Sequence, residues 1–188
     1  MRVKTVLAAL SAVLLTASQL PLSASVETRD YRRAVRLYQN GMYERARSVF
    51  QSISGDPLSE AYTVLCAIKM RSDDYVELME EYHKDYPSSI MTSRIRLENA
   101  RVLFDDQKYS EAALEFSKVD SVSLPMSDLP EYIFKCGCCQ FAMGNYPEAA
   151  QFFTILEGLS FSEFTSPGRY LSGVMHYNNS EFAAAEAC

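Results

Sequence analysis

Cys136, Cys138 and Cys139 are where reactive chemistry would be sought first, because Cys136-Gly137-Cys138-Cys139 contains the C-x-x-C spacing. A leading thiol at a helix N-terminus has a lowered pKa and attacks disulfides as the thiolate. On that reading Cys136 and Cys139 make a redox pair. A zinc site needs a second pair of ligands, and none stands at suitable spacing. The chain has 5 Cys, an odd number, which excludes a complete disulfide framework and leaves a Cys136–Cys139 disulfide open. Histidine chemistry has little material: His83 stands among Glu80, Glu81, Lys84 and Asp85, His176 beside Tyr177, and neither has a nucleophile nearby in sequence. Glu80-Glu81 and Asp105-Asp106 look like paired carboxylates, but neighbours on a helix point in different directions, which suits a solvated face better than an acid/base pair. There is no Gly-rich phosphate loop and no Gly-x-Ser-x-Gly elbow. The sequence therefore predicts no catalytic residues, no metal and no cofactor.

The elements that hold these residues recur. Tyr43, Tyr75, Tyr109, Tyr146 and Phe182 each open a helical pattern, with gaps of 32, 34, 37 and 36 residues. Three residues after each stand Ala46, Leu78, Ala112, Ala149 and Ala185; seven after the first four stand Phe50, Tyr82, Phe116 and Phe153. Ten after come Ile53, Asp85, Val119 and Leu156, of which only Asp85 breaks the pattern. Such offsets put the side chains on one helix face. Nine residues before each marker is a small residue, Ala34, Cys66, Ala100, Gly137 or Gly173, at the point where two helices of a pair approach closely. Gly137 thus sits mid-helix, so the cysteines beside it are read first as small packing residues, and redox chemistry as the alternative. Short polar stretches such as Asn40-Gly41 and Gly144-Asn145 separate the helices of a pair, and Asp56-Pro57 and Ser166-Pro167 mark helix starts.

A small residue, Gly-x-Tyr, Ala, Phe and a late Pro within about 34 residues resembles the tetratricopeptide repeat, TPR. Gly41, Tyr43, Ala46, Phe50 and Pro57 carry the resemblance in the first unit, and Gly144, Tyr146, Ala149 and Phe153 in the fourth. The second unit departs most, having Asp73 for glycine and Leu78 for alanine, and is expected to pack more loosely. The resemblance implies an all-α, right-handed α-solenoid of TPR hairpins covering 25–188, in units of about 27–58, 59–92, 93–127, 128–164 and 165–188, with the last one cut short. The phase puts the fifth unit's next buried aromatic at position 189, so a longer array is expected.

In TPR proteins the groove-facing side of each first helix binds peptides or partner helices. The matching positions, twelve and five residues before the markers, hold Tyr31 and Tyr38, Thr63 and Met70, Leu97 and Phe104, Phe134 and Phe141, Tyr170 and Tyr177. Arg94 and Arg101 stand between them. The resemblance thus implies a partner-binding ladder of Tyr31, Tyr38, Met70, Arg94, Arg101, Phe104, Phe134, Phe141, Tyr170 and Tyr177, aromatic and arginine being the types that dominate binding hot spots. The same spacing equally serves rings that fill gaps between neighbouring helices. The basic and asparagine arrangement that grips a carboxylate tail in chaperone-binding TPRs is missing at these places.

Composition and address narrow the function. With 48% hydrophobic and 22% charged residues the chain of 188 is globular, and a net charge of −6 argues against a sequence-independent nucleic-acid binder. Arg2 and Lys4, then the apolar run Val6 to Leu15, then small residues to Ala24 have the layout of a secretory signal peptide. A run of ten residues is half of the roughly 20 needed to span a bilayer, so no membrane span is expected after cleavage. The sequence predicts an exported, non-enzymatic scaffold of the periplasm or outer-membrane face, resembling secreted TPR scaffolds of Gram-negative bacteria and binding other envelope proteins. A thiol oxidoreductase is the alternative. An envelope glycan-binding module finds some support in the tyrosines but lacks Trp platforms.

Overall fold

The computed structural model describes residues 22–53, 55–159 and 162–187, and among these all regular structure is helical. Ten α-helices follow in order: α1 Leu22–Gln39, α2 Tyr43–Gln51, α3 Pro57–Met70, α4 Tyr75–Asp85, α5 Thr92–Asp105, α6 Tyr109–Ser117, α7 Leu129–Ala142, α8 Tyr146–Glu157, α9 Thr165–Asn178 and α10 Phe182–Ala187. Each of the five markers is the first residue of a helix. The expected leader lies outside the described residues, except that Leu22, Ser23 and Ala24 begin α1.

The chain divides into two compact units, 1–66 and 67–188. In the first, Ala34, Ala46 and Phe50 are buried, as are Ala61, Leu65 and Cys66 of α3. The Tyr62 ring stacks on Phe50 at 4.9 Å between centroids, and Tyr31 meets Phe50 edge-on at 5.8 Å. In the second unit one core gathers Leu97, Ala100, Leu103, Ala112, Phe116, Val119, Cys136 and Cys139, and another Ala149, Phe153 and Met175. Burial at this scale is the dominant favourable term, so the residues three and seven after Tyr43, Tyr109 and Tyr146 hold their hairpins together, whereas after Tyr75 only Tyr82 is buried and Leu78 is half-buried.

The turns between paired helices share one geometry. The residue two before the marker has a left-handed backbone at Gly41, Gln107, Gly144 and Ser180, with φ of 72°, 61°, 81° and 63°. The amide after each reaches back to the carbonyl five residues earlier: Met42 to Leu37, Lys108 to Leu103, Asn145 to Gln140, Glu181 to His176. This closure satisfies carbonyls that a helix end leaves orphaned. In the turn after α3 the left-handed residue is Arg71, with φ of 53°, and Ser72 bonds back to Ala67. The same closure thus comes two residues earlier relative to the marker, which is how Asp73 stands where glycine was expected without carrying the strained φ. Asp85, the misfit of the pattern, is exposed.

Asp56 caps α3 as expected, its Oδ2 accepting from the Ser59 amide at 2.9 Å and the Ser59 hydroxyl at 2.6 Å. The start of α9 differs from expectation. The helix begins at Thr165, so Pro167 is its third residue, and Thr165 Oγ1 accepts the Ser162 amide at 3.1 Å. A proline within the first turn loses no hydrogen bond, which is why it tolerates either register.

Candidate functional site

Within unit 67–188, the last turn of α3, the residue after it, α5 and α7 bring alternating charges into one cleft. On α5, Glu98, Arg101 and Asp105 sit at i, i+3 and i+7; on α7, Asp128, just before its first residue, Glu131 and Lys135 do the same. Helical spacing turns each set to one face. Lys69 pairs with Glu98 Oε2, and Glu98 Oε1 accepts from Arg101 Nη1 at 2.9 Å. Arg101 Nη2 bonds Glu131 Oε2 and lies 3.6 Å from Asp128. Lys135 continues the chain, 3.1 Å from Glu131 and 3.4 Å from Asp105, with its ammonium 4.9 Å from the centre of the Phe104 ring. Arg71 pairs with Asp106.

These residues enclose a cavity of about 560 Å³ lined by Lys69, Arg71, Glu98, Arg101, Val102, Asp105, Glu131 and Lys135. Burial alone would lower the Arg101 guanidinium, but Glu98, Glu131 and Asp128 outweigh it and raise its pKa. Burial alone would raise the Glu131 carboxyl, and Arg101 with Lys135 outweighs that and lowers it. Both groups are therefore held charged by one another. Four cations and three carboxylates line the cavity, which suits a polypeptide segment carrying both signs rather than a simple anion.

Arg101 and Phe104 are brought to this cleft. The other expected ladder residues lie elsewhere. Tyr38, Phe104, Phe141 and Tyr177 each meet the marker of their own hairpin edge-on, with Tyr43, Tyr109, Tyr146 and Phe182 at 5.4 to 5.5 Å between centroids. These rings staple the loop end of a hairpin. Phe134 packs on Phe153 and Phe164, and Met70 is half-buried at the end of α3. Arg94 is exposed; Tyr170 and Tyr177 are exposed and line a smaller apolar hollow of about 340 Å³ with Gly173, Val174 and Ala185. Lys69, Glu98, Glu131 and Lys135 carry no expectation from the sequence, whereas Asp105 and Asp106, expected on a solvated face, pair with Lys135 and Arg71 at the cleft. Their signal was present as charges at i, i+3 and i+7 on two first helices, beside the aromatic stripe.

The cysteines are placed as packing residues. Cys66, Cys136 and Cys139 are buried, and the thiols of these three and of Cys138 are free. Burial pushes each of the four up to about 12. The Tyr132 hydroxyl, beside Cys136, donates to the Phe116 carbonyl at 3.3 Å. Against an ordinary thiol near 9, a value of about 12 leaves a thiolate fraction about a thousandfold smaller at neutral pH, and the thiolate is the nucleophile. Iodoacetamide at pH 7 should therefore label Cys136, Cys138 and Cys139 slowly in the native protein and rapidly after denaturation, read by peptide mass. Fast native labelling of Cys136 or Cys139 would restore the redox reading. His83 is half-buried, its Nε2 enclosed without a hydrogen-bond partner, and burial together with Arg96 lowers its pKa. Among the described residues no three His, Cys, Asp or Glu side chains are grouped as metal ligands.

The hairpin series, with aromatic markers at helix starts and buried Ala and Phe behind them, agrees with solved structures over most of the chain. A MamA structure, "MamA AMB-1 P212121", matches with a TM-score of 0.66 at 17% identity, over 86% of this chain and 87% of that one. The fold is of the tetratricopeptide-repeat type. "MamA MSR-1 C2" matches over 86% of this chain and 95% of that one, with a TM-score of 0.59 at 16% identity. A putative kinesin light chain of Podosopora anserina with nearly identical TPR-like repeats matches over 85% and 90%, with a TM-score of 0.58 at 13% identity. No family model and no curated protein matches in sequence. The TPR-type chain is thus an all-α solenoid of helical hairpins, and no helix among its described residues is long and apolar enough to cross a membrane.

Proposed function

We propose that this TPR-type chain is a non-enzymatic scaffold of the cell envelope that holds a segment of another envelope protein in the charged cleft of residues 67–188. The observation that carries the reading is the cavity of about 560 Å³ built from successive first helices, with both signs of charge and the Phe104 ring at its wall. Charge arranged in a fixed alternating order selects a partner by complementarity and penalises a segment with the wrong order. Arg2, Lys4 and the apolar run from Val6 to Leu15 support export. The buried thiols favour this reading over a thiol oxidoreductase.

A photoreactive residue placed at Asp105, which is exposed and lines the cavity, should give a discrete adduct in the native envelope. The same residue at Leu114, 59% exposed on α6, should not. Arg71→Glu should cut the Asp105 adduct by about fivefold or more, since it reverses a charge at the cleft rim. Equal adducts at both positions, or indifference to Arg71→Glu, would reject the cleft. Fractionation with N-terminal mass measurement should find a mature protein beginning at Ser25 in the envelope; a cytoplasmic protein that keeps Met1 would reject export.

A further inference from the structure

Charge is unevenly shared along this chain. Residues 22–66 hold six Arg against five Asp and Glu, whereas residues 67–188 hold 10 Lys and Arg against 19 Asp and Glu. Four of the six arginines, Arg29, Arg32, Arg33 and Arg36, fall at i, i+3, i+4 and i+7 of α1, which puts them on one face. All four are exposed. None makes an ion pair or hydrogen bond among the described residues, and the only acid nearby on that helix with a described side chain, Asp30, is not paired with them. Like charges at these spacings repel along the helix, so the stripe weakens α1 by itself.

A matching feature of opposite sign stands on α4. Glu77, Glu80 and Glu81 lie at i, i+3 and i+4, are exposed, and make no ion pair or hydrogen bond among the described residues. Lys84 is the one cation that continues that face. The stripes are about one to two helical turns long, on the order of 6–10 Å, so one helix laid along the other brings three of the arginines against the three glutamates.

We propose that the arginine stripe of α1 docks on the Glu77–Glu80–Glu81 stripe of a second copy of this chain. The surface lies outside the charged cleft, so the inference does not depend on what the cleft binds. An anionic lipid surface is the competing occupant for arginines. It is disfavoured because a body carrying net −6 is repelled by such a surface, while a second copy supplies the missing acids in the right order.

Sedimentation velocity of the protein as recovered from cells tests this. Association should grow with concentration at about 20 mM salt and vanish at about 0.5 M, where the screening length falls to a few ångströms. Arg32→Glu with Arg33→Glu should weaken it at least about tenfold, and so should Glu80→Arg with Glu81→Arg. An equimolar mixture of the two variants should associate again, because each then offers what the other lacks. These side chains are exposed, so circular dichroism should be unchanged in both. Association that survives either reversal, or a mixture that stays monomeric, overturns the proposal. So does a wild-type chain that stays monomeric at low salt while binding phosphatidylglycerol vesicles through Arg32 and Arg33, which would assign the stripe to lipid.

Discussion

Phe153→Ala lowers the unfolding free energy by about 3–5 kcal/mol, the range for removing a buried aromatic from a core that cannot collapse around the gap. Phe153 is fully buried at the centre of the core shared by α7, α8 and α9, with Phe134 on one side and Met175 on the other. Its ring also fills the space left by a missing side chain. A Cβ built on Gly137 would lie 2.7 Å from Phe153 Cε1 and 3.1 Å from Phe152 Cβ, closer than atoms pack. Gly137→Ala should therefore cost about 1–3 kcal/mol from overpacking, partly offset by the roughly 1 kcal/mol that alanine contributes in a helix interior. The two changes must couple. In the Phe153→Ala background the added methyl enters the cavity, so Gly137→Ala should become neutral or stabilising, a non-additivity of about 1–3 kcal/mol. Urea unfolding of the two single variants and the double variant measures it. Additive effects would mean that the small residue nine positions before a marker does not set the approach of α7 to α8.

That coupling links a residue pattern to a packing fact, and it shows which parts of the structure were legible in the sequence. The helix openings at Tyr43, Tyr109 and Tyr146 were readable because each begins a face whose offsets of three and seven are dictated by burial: Ala46, Ala112 and Ala149 are 0% exposed, and Phe50, Phe116 and Phe153 at most 1%. Those at Tyr75 and Phe182 followed from the spacing, with Leu78 and Ala185 only half-buried. Turn geometry was readable at Gly41 and Gly144 but not at Gln107 and Ser180, which adopt the same left-handed φ without glycine. There the closure of the helix end, not residue preference, imposes the conformation. Binding residues were the least legible. Tyr38, Phe141 and Tyr177 share the helical phase of Phe104, and all four rings face the marker ring of their own hairpin; only Phe104 also has a cleft cation, Lys135, over it. Periodicity names a face and does not say what stands opposite. The cleft depends on pairs such as Lys69 with Glu98 and Arg101 with Glu131, about thirty residues apart in sequence. Only the stacking of first helices within unit 67–188 brings them together.

Arg101→Met should lower stability by about 2–4 kcal/mol, less than loss of a fully enclosed partner because Glu98 keeps Lys69 and Glu131 keeps Lys135. The asymmetry of buried charge decides the sign. The Glu98 side chain is 8% exposed, so the carboxylate that loses Arg101 cannot recover water in exchange. Adding Glu98→Leu to Arg101→Met should return much of the loss, since a buried ion pair replaced on both sides by apolar groups is often close to neutral. Acid provides an independent check. Glu131 has a lowered pKa in the folded chain, so its contribution is fully present above the ordinary glutamate value of about 4.3 and is lost as pH falls through the lowered folded value. Without Arg101 the lowering shrinks while the opposing effect of burial stays. The stability gap between wild type and Arg101→Met should thus be widest above about pH 5 and narrow steadily below about pH 4, measured as urea midpoints across that range. A gap that stays constant with pH would show that Arg101 acts by packing its aliphatic stem, and that its ion pairs with Glu98 and Glu131 contribute nothing to holding α5 against α7.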